Sequence, residues 1–236
     1  MRSIETELKP GLFFSPAIYM AFWQNAILKR FDKATVLNSQ ELKPYREMWV
    51  GAIIAASQSL SGTKHYVGLP DDEPPDIDVV RLLDTDFKGK ASTKMERLLI
   101  EVTRCNFDAG ETIVGQIKKK NKPAYAGMRL AVYVHGNDRG TKFQDIFDAL
   151  QKLKPVFSTV LIVGTVDVAG GLLLTKGYFG VTGVWPNKGQ TLVNINNRKA
   201  FFRHPEVFRK SRLATGTEWE DLGSLILKPP ELKTSK

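Results

Sequence analysis

The chain has 236 residues, 42% of them hydrophobic and 25% charged, so it can bury a core and does not belong to the disordered class. Its basic residues exceed its acidic ones by 34 − 25 = 9, which favours a polyanionic partner and by itself specifies no chemistry. One cysteine, Cys105, excludes an intramolecular disulfide and a cysteine-built zinc site, and it fits a reducing, cytoplasmic compartment.

The length is above that of a usual single domain and short for two. One core is therefore expected: a helical extension over 1–40, an α/β core over 41–185 and a basic extension over 186–236 packed on that core. Ser15 followed by Pro16 marks a helix start running to about Phe31, with Tyr19, Phe22, Trp23 and Phe31 turned to the core or a partner. The apolar stretch from Leu12 to Leu28 is broken by Pro16, Gln24 and Asn25 and lacks a basic start and a cleavage site. Neither a signal peptide nor a membrane span is expected there. A second helix follows Ser39 and Pro44, carries Tyr45, Met48, Trp49, Ala52, Ile53 and Ala56 at helical spacing, and ends at Ser61-Gly62.

The period then changes. Strands are expected at His65–Leu69, Ile77–Leu83 and Arg97–Cys105, the last apolar except at Glu101 and Thr103. A helix is expected over Glu111–Asn121 with Ile113, Val114 and Ile117 inward, then a strand over Met128–His135 and a helix over Lys142–Leu153. A further strand at Ser158–Val166 and a glycine-rich strand or hairpin at Leu172–Val184 complete the pattern. This order of elements implies a mixed central sheet flanked by helices.

Charge is unevenly spread. Asp71, Asp72, Glu73, Asp76, Asp78, Asp84 and Asp86 crowd the segment 67–86 against Arg81 alone, whereas Lys188, Arg198, Lys199, Arg203, Arg209, Lys210 and Arg212 fill 186–212 against Glu206 alone. An acidic focus in a basic chain suits a metal-dependent enzyme acting on nucleic acid; a solvated acidic loop and a solvated basic tail would look the same. Trp185, Phe201, Phe202 and Phe208 interleave with the basic stretch and either stack bases or pin the tail to the core.

Side chains alternate along a strand, so Asp76 and Asp78 share a face, and Glu101 shares one with Thr103 and Cys105. If the two strands pair, an aspartate and Glu101 converge, and Mg²⁺ or Mn²⁺ can be held by two carboxylates and a backbone carbonyl. A charge within an apolar strand is costly unless paired or metal-bound, which singles out Glu101. His65, His135 and His204 are scattered, which argues against a zinc centre, and the chain has no phosphate loop, dinucleotide turn or nucleophile elbow.

The run PPDIDVVRLLD, a gap, then LLIEVTR and a helix with GQIKKKNK resembles the PD-(D/E)XK, restriction-endonuclease-like nucleases over about Tyr45–Val166. Glu101 stands 101 − 76 = 25 residues after Asp76 and 101 − 78 = 23 after Asp78, a gap the family accommodates. The resemblance implies a restriction-endonuclease-like core, Mg²⁺ (or Mn²⁺) at Asp76 or Asp78 with Glu101, and hydrolysis of nucleic acid, DNA ahead of RNA. A larger DNA-processing or anti-phage assembly with a protein partner is the suggested setting. Where the family places a lysine two residues after the glutamate, this chain has Thr103. Either the lysine's role has moved to the next helix, with Lys118 or Lys120 catalytic and Gln116 on a phosphate, or the site is silent and the chain binds nucleic acid or a protein. Lys119, Lys122, Arg198, Lys199, Arg203, Arg209 and Lys210 are the expected nucleic-acid contacts, and Glu47 on the second helix is a further candidate ligand.

Overall fold

A computed structural model describes residues 4–59, 63–71, 74–82, 95–136, 141–165, 178–194, 207–213, 216–221 and 225–232. In chain order the strands and helices are β1 (Ile4–Thr6), β2 (Leu12–Phe14), α1 (Pro16–Phe22), α2 (Lys33–Asn38), α3 (Lys43–Ser59), β3 (His65–Gly68), β4 (Ile77–Leu82) and β5 (Met95–Asn106). They continue as α4 (Ile113–Lys120), β6 (Arg129–His135), α5 (Phe143–Leu153), β7 (Thr159–Thr165), β8 (Tyr178–Trp185), β9 (Gly189–Asn194), β10 (Val207–Leu213), β11 (Gly216–Asp221) and β12 (Leu225–Leu227). The class is mixed α/β. Contacts divide the chain into a first unit within Met1–Asp71, Ile77–Arg97 and Lys199–Lys236 and a second within Asp72–Asp76 and Leu98–Arg198.

In the first unit the strand order is β11-β10-β2-β3-β4 with every neighbour antiparallel, and β1 pairs in parallel with β12. Helix α3 is buried along most of its length and lies close on β3 and β4. A Cβ at Gly51 would sit 2.6 Å from Ile77 Cγ2 and 2.8 Å from Val67 Cγ2, so only glycine permits that approach. The helix expected to run to Phe31 instead ends at Phe22 and widens into a π-helical turn over Trp23–Ile27, where the Leu28 N–H reaches the Trp23 carbonyl at 2.9 Å. The wider turn keeps Trp23 and Ile27 both buried and stacks Trp23 on Trp49 at 5.4 Å between ring centroids. Helix α2 is an addition to the expected elements, started by Asp32, whose Oδ1 accepts the Thr35 N–H at 2.9 Å.

Segment 1–40, expected as helical, thus also carries β1 and β2, and the expected basic extension contributes β9 to the second unit and β10, β11 and β12 to the first. The missed strands β1, β2 and β12 are three residues each, too short to show a period.

In the second unit the order is β5-β6-β7-β8-β9, with β5, β6 and β7 parallel and β8 and β9 antiparallel: a mixed sheet flanked by helices. Helices α4 and α5 share one face of it, with Ile113 and Ile117 of α4 and Ile146 and Leu150 of α5 in one core with Cys105, Leu130, Val132, Val160 and Ile162. Parallel neighbours need a crossover, and here it is α4. The helix therefore runs back along β5, and its end returns towards that strand's start.

Candidate catalytic centre

Glu101 sits in β5 opposite Leu130, and Thr103 opposite Val132. Leu130 and Val132 belong to the core beneath α4, so Glu101, Thr103 and Cys105 all face that helix. From Cys105 back to Glu101 the strand covers about 13 Å at roughly 3.3 Å per residue, and from Ile113 to Lys120 the helix covers about 10 Å at roughly 1.5 Å per residue. Ile113, Gln116, Ile117 and Lys120 fall on one helix face at the spacing i, i+3, i+4, i+7. With Ile113 packed near Cys105, Lys120 arrives at Glu101. Thr112 holds the start of the helix, its Oγ1 accepting the Gly115 N–H at 3.1 Å.

The Lys120 ammonium donates a short hydrogen bond to Glu101 Oε1. Glu101 is 3% exposed, and the Asp76 carboxyl is in hydrogen-bond contact with it. Asp76 is itself positioned by the Val102 N–H, which donates to its Oδ2 at 2.8 Å. Burial raises the Glu101 carboxyl above its ordinary range; Lys120 works against that rise and Asp76 adds to it. Burial disfavours the Lys120 charge, yet its hydrogen bond to Glu101 and the negative charges of Glu101 and Asp76 hold it above the ordinary lysine value. The ammonium also stands 5.5 Å from the centre of the Tyr125 ring, a cation–π contact.

Asp78 is engaged elsewhere. It is 1% exposed, and Arg97 Nε and Nη2 both donate to its Oδ2, at 2.9 and 2.5 Å. Of the two aspartates offered as partners of Glu101, the structure brings Asp76 to it and pairs Asp78 with Arg97. Of the helix lysines it brings Lys120; Lys118, Lys119 and Lys122 are exposed. Gln116 is buried one turn before Lys120 on the same face. Glu47 is held by Lys43 at 3.2 Å within α3. Arg198, Lys199 and Arg203 lie outside the described residues, and Arg209 and Lys210 are backbone partners of Leu12 and Trp219, respectively.

Three partners were not singled out by sequence reasoning: Arg97, Tyr125 and the Val102 amide. Tyr125 and Val102 carry no charge or motif to mark them, and Arg97 reads as an ordinary strand-start cation.

Two carboxyls meet here beside one ammonium, and the contact between them holds a proton that a divalent cation would displace; ionised, both acids present acceptor-only oxygens. That donor set fits a hard divalent cation, since Mg²⁺ is commonly held by one or two carboxylates with water and substrate phosphate oxygens filling the rest. Among the described residues no group of three or more His, Cys, Asp or Glu forms a fuller cage, and no helix is long and apolar enough to cross a membrane. No protein-family model matches the chain, and no curated protein is similar to it.

Proposed function

We propose that Asp76, Glu101 and Lys120 form the centre of a metal-dependent nuclease with a restriction-endonuclease-like core, acting on nucleic acid and on DNA ahead of RNA. The observation that carries this reading is the return of Lys120 along α4 to a buried glutamate that already contacts an aspartate. It supplies the positive charge that Thr103 cannot, from a different element. Asp76 and Glu101 would hold Mg²⁺ or Mn²⁺; the ion, when bound, supplies Lewis acidity to the phosphodiester and to the attacking water. Lys120 balances charge at the glutamate and stands ready to stabilise negative charge growing on the phosphate. Gln116, on the same helix face, is placed to orient a phosphate oxygen. Exposed Lys118, Lys119 and Lys122 at the end of α4 favour a polyanionic backbone nearby. Work within a DNA-processing or anti-phage assembly fits this chemistry and a basic chain of this size.

One observation favours a silent module that binds nucleic acid or a protein. The Lys120–Glu101 contact is also what a structural ion pair around a buried acid would look like. Cleavage of plasmid and single-stranded substrates with Mg²⁺ or Mn²⁺ separates the readings. Metal-dependent cutting lost in Glu101→Ala supports the enzyme; salt-sensitive binding with no cutting of any substrate supports the silent module.

A further inference from the structure

The far end of the same sheet holds a cavity of about 300 Å³ within the second unit. Glu101 faces Leu130 near the start of β6, whereas the cavity gathers His135 and Gly136 at the strand's end. Arg129 and His135 stand 135 − 129 = 6 steps apart on the strand, about 20 Å at roughly 3.3 Å per residue, so the cavity is not part of the acidic site. It opens at the carboxyl ends of the parallel strands β6 and β7, the end at which open α/β sheets bind ligands.

Its shape follows from the sequence. Gly164 of β7 and Gly180 of β8 are register partners, and both line the cavity. A Cβ at Gly164 would run into Val134 Cγ2, so glycine at that position lets Val134 pack into the cavity wall. The buried Ile113 and Ile162 give an apolar floor. Phe107 and Phe143 add aromatic wall, Phe143 with 47% of its surface exposed. Thr182 and Gln190, register partners on β8 and β9, bring a hydroxyl and an amide to the lining.

The α5 wall is braced, because Lys188 Nζ donates to Gln144 Oε1 at 2.5 Å and lies 4.2 Å over the Phe147 ring. Among the described lining residues there is no Asp, Glu, Lys or Arg, and His135 is the one titratable side chain, so a ligand of fixed charge would lose its hydration with at most an imidazole in exchange. A polar rim able both to donate and to accept, over an apolar floor with aromatic walls, matches a flat ring with a hydrogen-bonding edge. The volume suits one such ring system.

We propose that this cavity binds an uncharged heteroaromatic ring of nucleobase size, carried by a free nucleoside or by an unpaired nucleotide of a chain. The assignment does not depend on hydrolysis at Glu101.

Calorimetric titration of the full chain with adenosine, guanosine, cytidine and thymidine, with a single-stranded tetranucleotide, and with benzoate tests it. At least one nucleoside or the tetranucleotide is expected to saturate, benzoate is not, and Phe143→Ala or Gln190→Ala is expected to weaken binding about tenfold, with the circular dichroism melt unchanged. Saturation by free nucleosides identifies the small molecule as the ligand. Saturation by the tetranucleotide alone, still sensitive to Phe143→Ala, identifies an unpaired base. No saturation by either at millimolar concentration, equal binding of benzoate, or binding indifferent to both substitutions would overturn the proposal.

Discussion

Asp78 and Glu101 are both buried acids on strands, and each is paired with one cation, yet the two surroundings differ in how a second acid takes part. Asp78 meets the fork of Arg97, whose two nitrogens converge on one oxygen, and the hydrogen bond to Asp78 is the main cause raising the arginine further above its already high value. Asp71 acts on that guanidinium only as a nearby charge, so Asp78 and a permanently charged arginine make a structural pair. Glu101 meets a lysine and a second acid that it touches directly, so two carboxyls converge on one point. The pair is an arginine fork on a single carboxylate, and the trio sets two carboxyls side by side next to one ammonium.

The largest test of that contrast is Glu101→Gln. Metal-dependent cleavage is expected to fall to background in a plasmid assay, and undiminished cutting would remove the trio from the chemistry. Lys120→Met is expected to lower the rate by about 10²–10³-fold, the usual cost of one preorganised group facing developing charge. Adding Thr103→Lys to that variant is expected to recover part of the loss, because residue 103 shares the face of Glu101. A double variant no faster than Lys120→Met would show that strand and helix positions are not interchangeable.

Asp78→Ala should act on stability instead. Its carboxylate is buried but Arg97 is 36% exposed, so the cost falls between that of a surface pair and a buried one, about 1–3 kcal/mol in urea unfolding. Cleavage per folded molecule should be unchanged; a Glu101-like collapse of activity would erase the distinction drawn between the two acids.

The pH dependence is smaller. Because Glu101 is raised in the folded chain, its contribution to stability is complete below the ordinary glutamate range and is lost as pH rises through its folded value. Without divalent ions, the melting temperature of the wild type relative to Glu101→Gln should therefore decline with rising pH across that window and then level off, by about 2–4 °C per kcal/mol for a chain of this size. Lys120→Met should move the window upward, since the ammonium counteracts the rise. A relative melting temperature that climbs over the same interval would reverse the sign assigned here.

Smallest of all, Cys105, pushed up to about 11 chiefly by burial, should resist alkylation at pH 8 in the folded chain and react on unfolding. Rapid labelling of native protein would show that its burial beneath α4 is incomplete.

The legible part of this protein was local. Glu101 stood out because a charge in an apolar strand needs a partner, and the inward face of α4 was read from Ile113, Val114 and Ile117, with Lys118 and Lys120 both left as candidates. Pattern alone could not choose between Asp76 and Asp78, since both alternate onto the same face and differ only in what crosses to meet them. Arg97 claims one and the Val102 amide orients the other, and neither contact has a signature in spacing. Strands β10 and β2 escaped for a related reason: their pairing joins Val207–Arg209 to Leu12–Phe14, and a ladder between segments so distant in sequence leaves no mark on either.

By itself the sequence determined the alternation of strands and helices, the single cysteine, the basic excess and the isolated glutamate, because these depend on composition and short-range period. The tertiary structure alone decided which aspartate and which lysine reach Glu101, and that a cavity lies at the other end of the sheet. Those outcomes depend on how a crossover helix returns over its strand and how strands register, and both are set by packing between residues far apart in the chain.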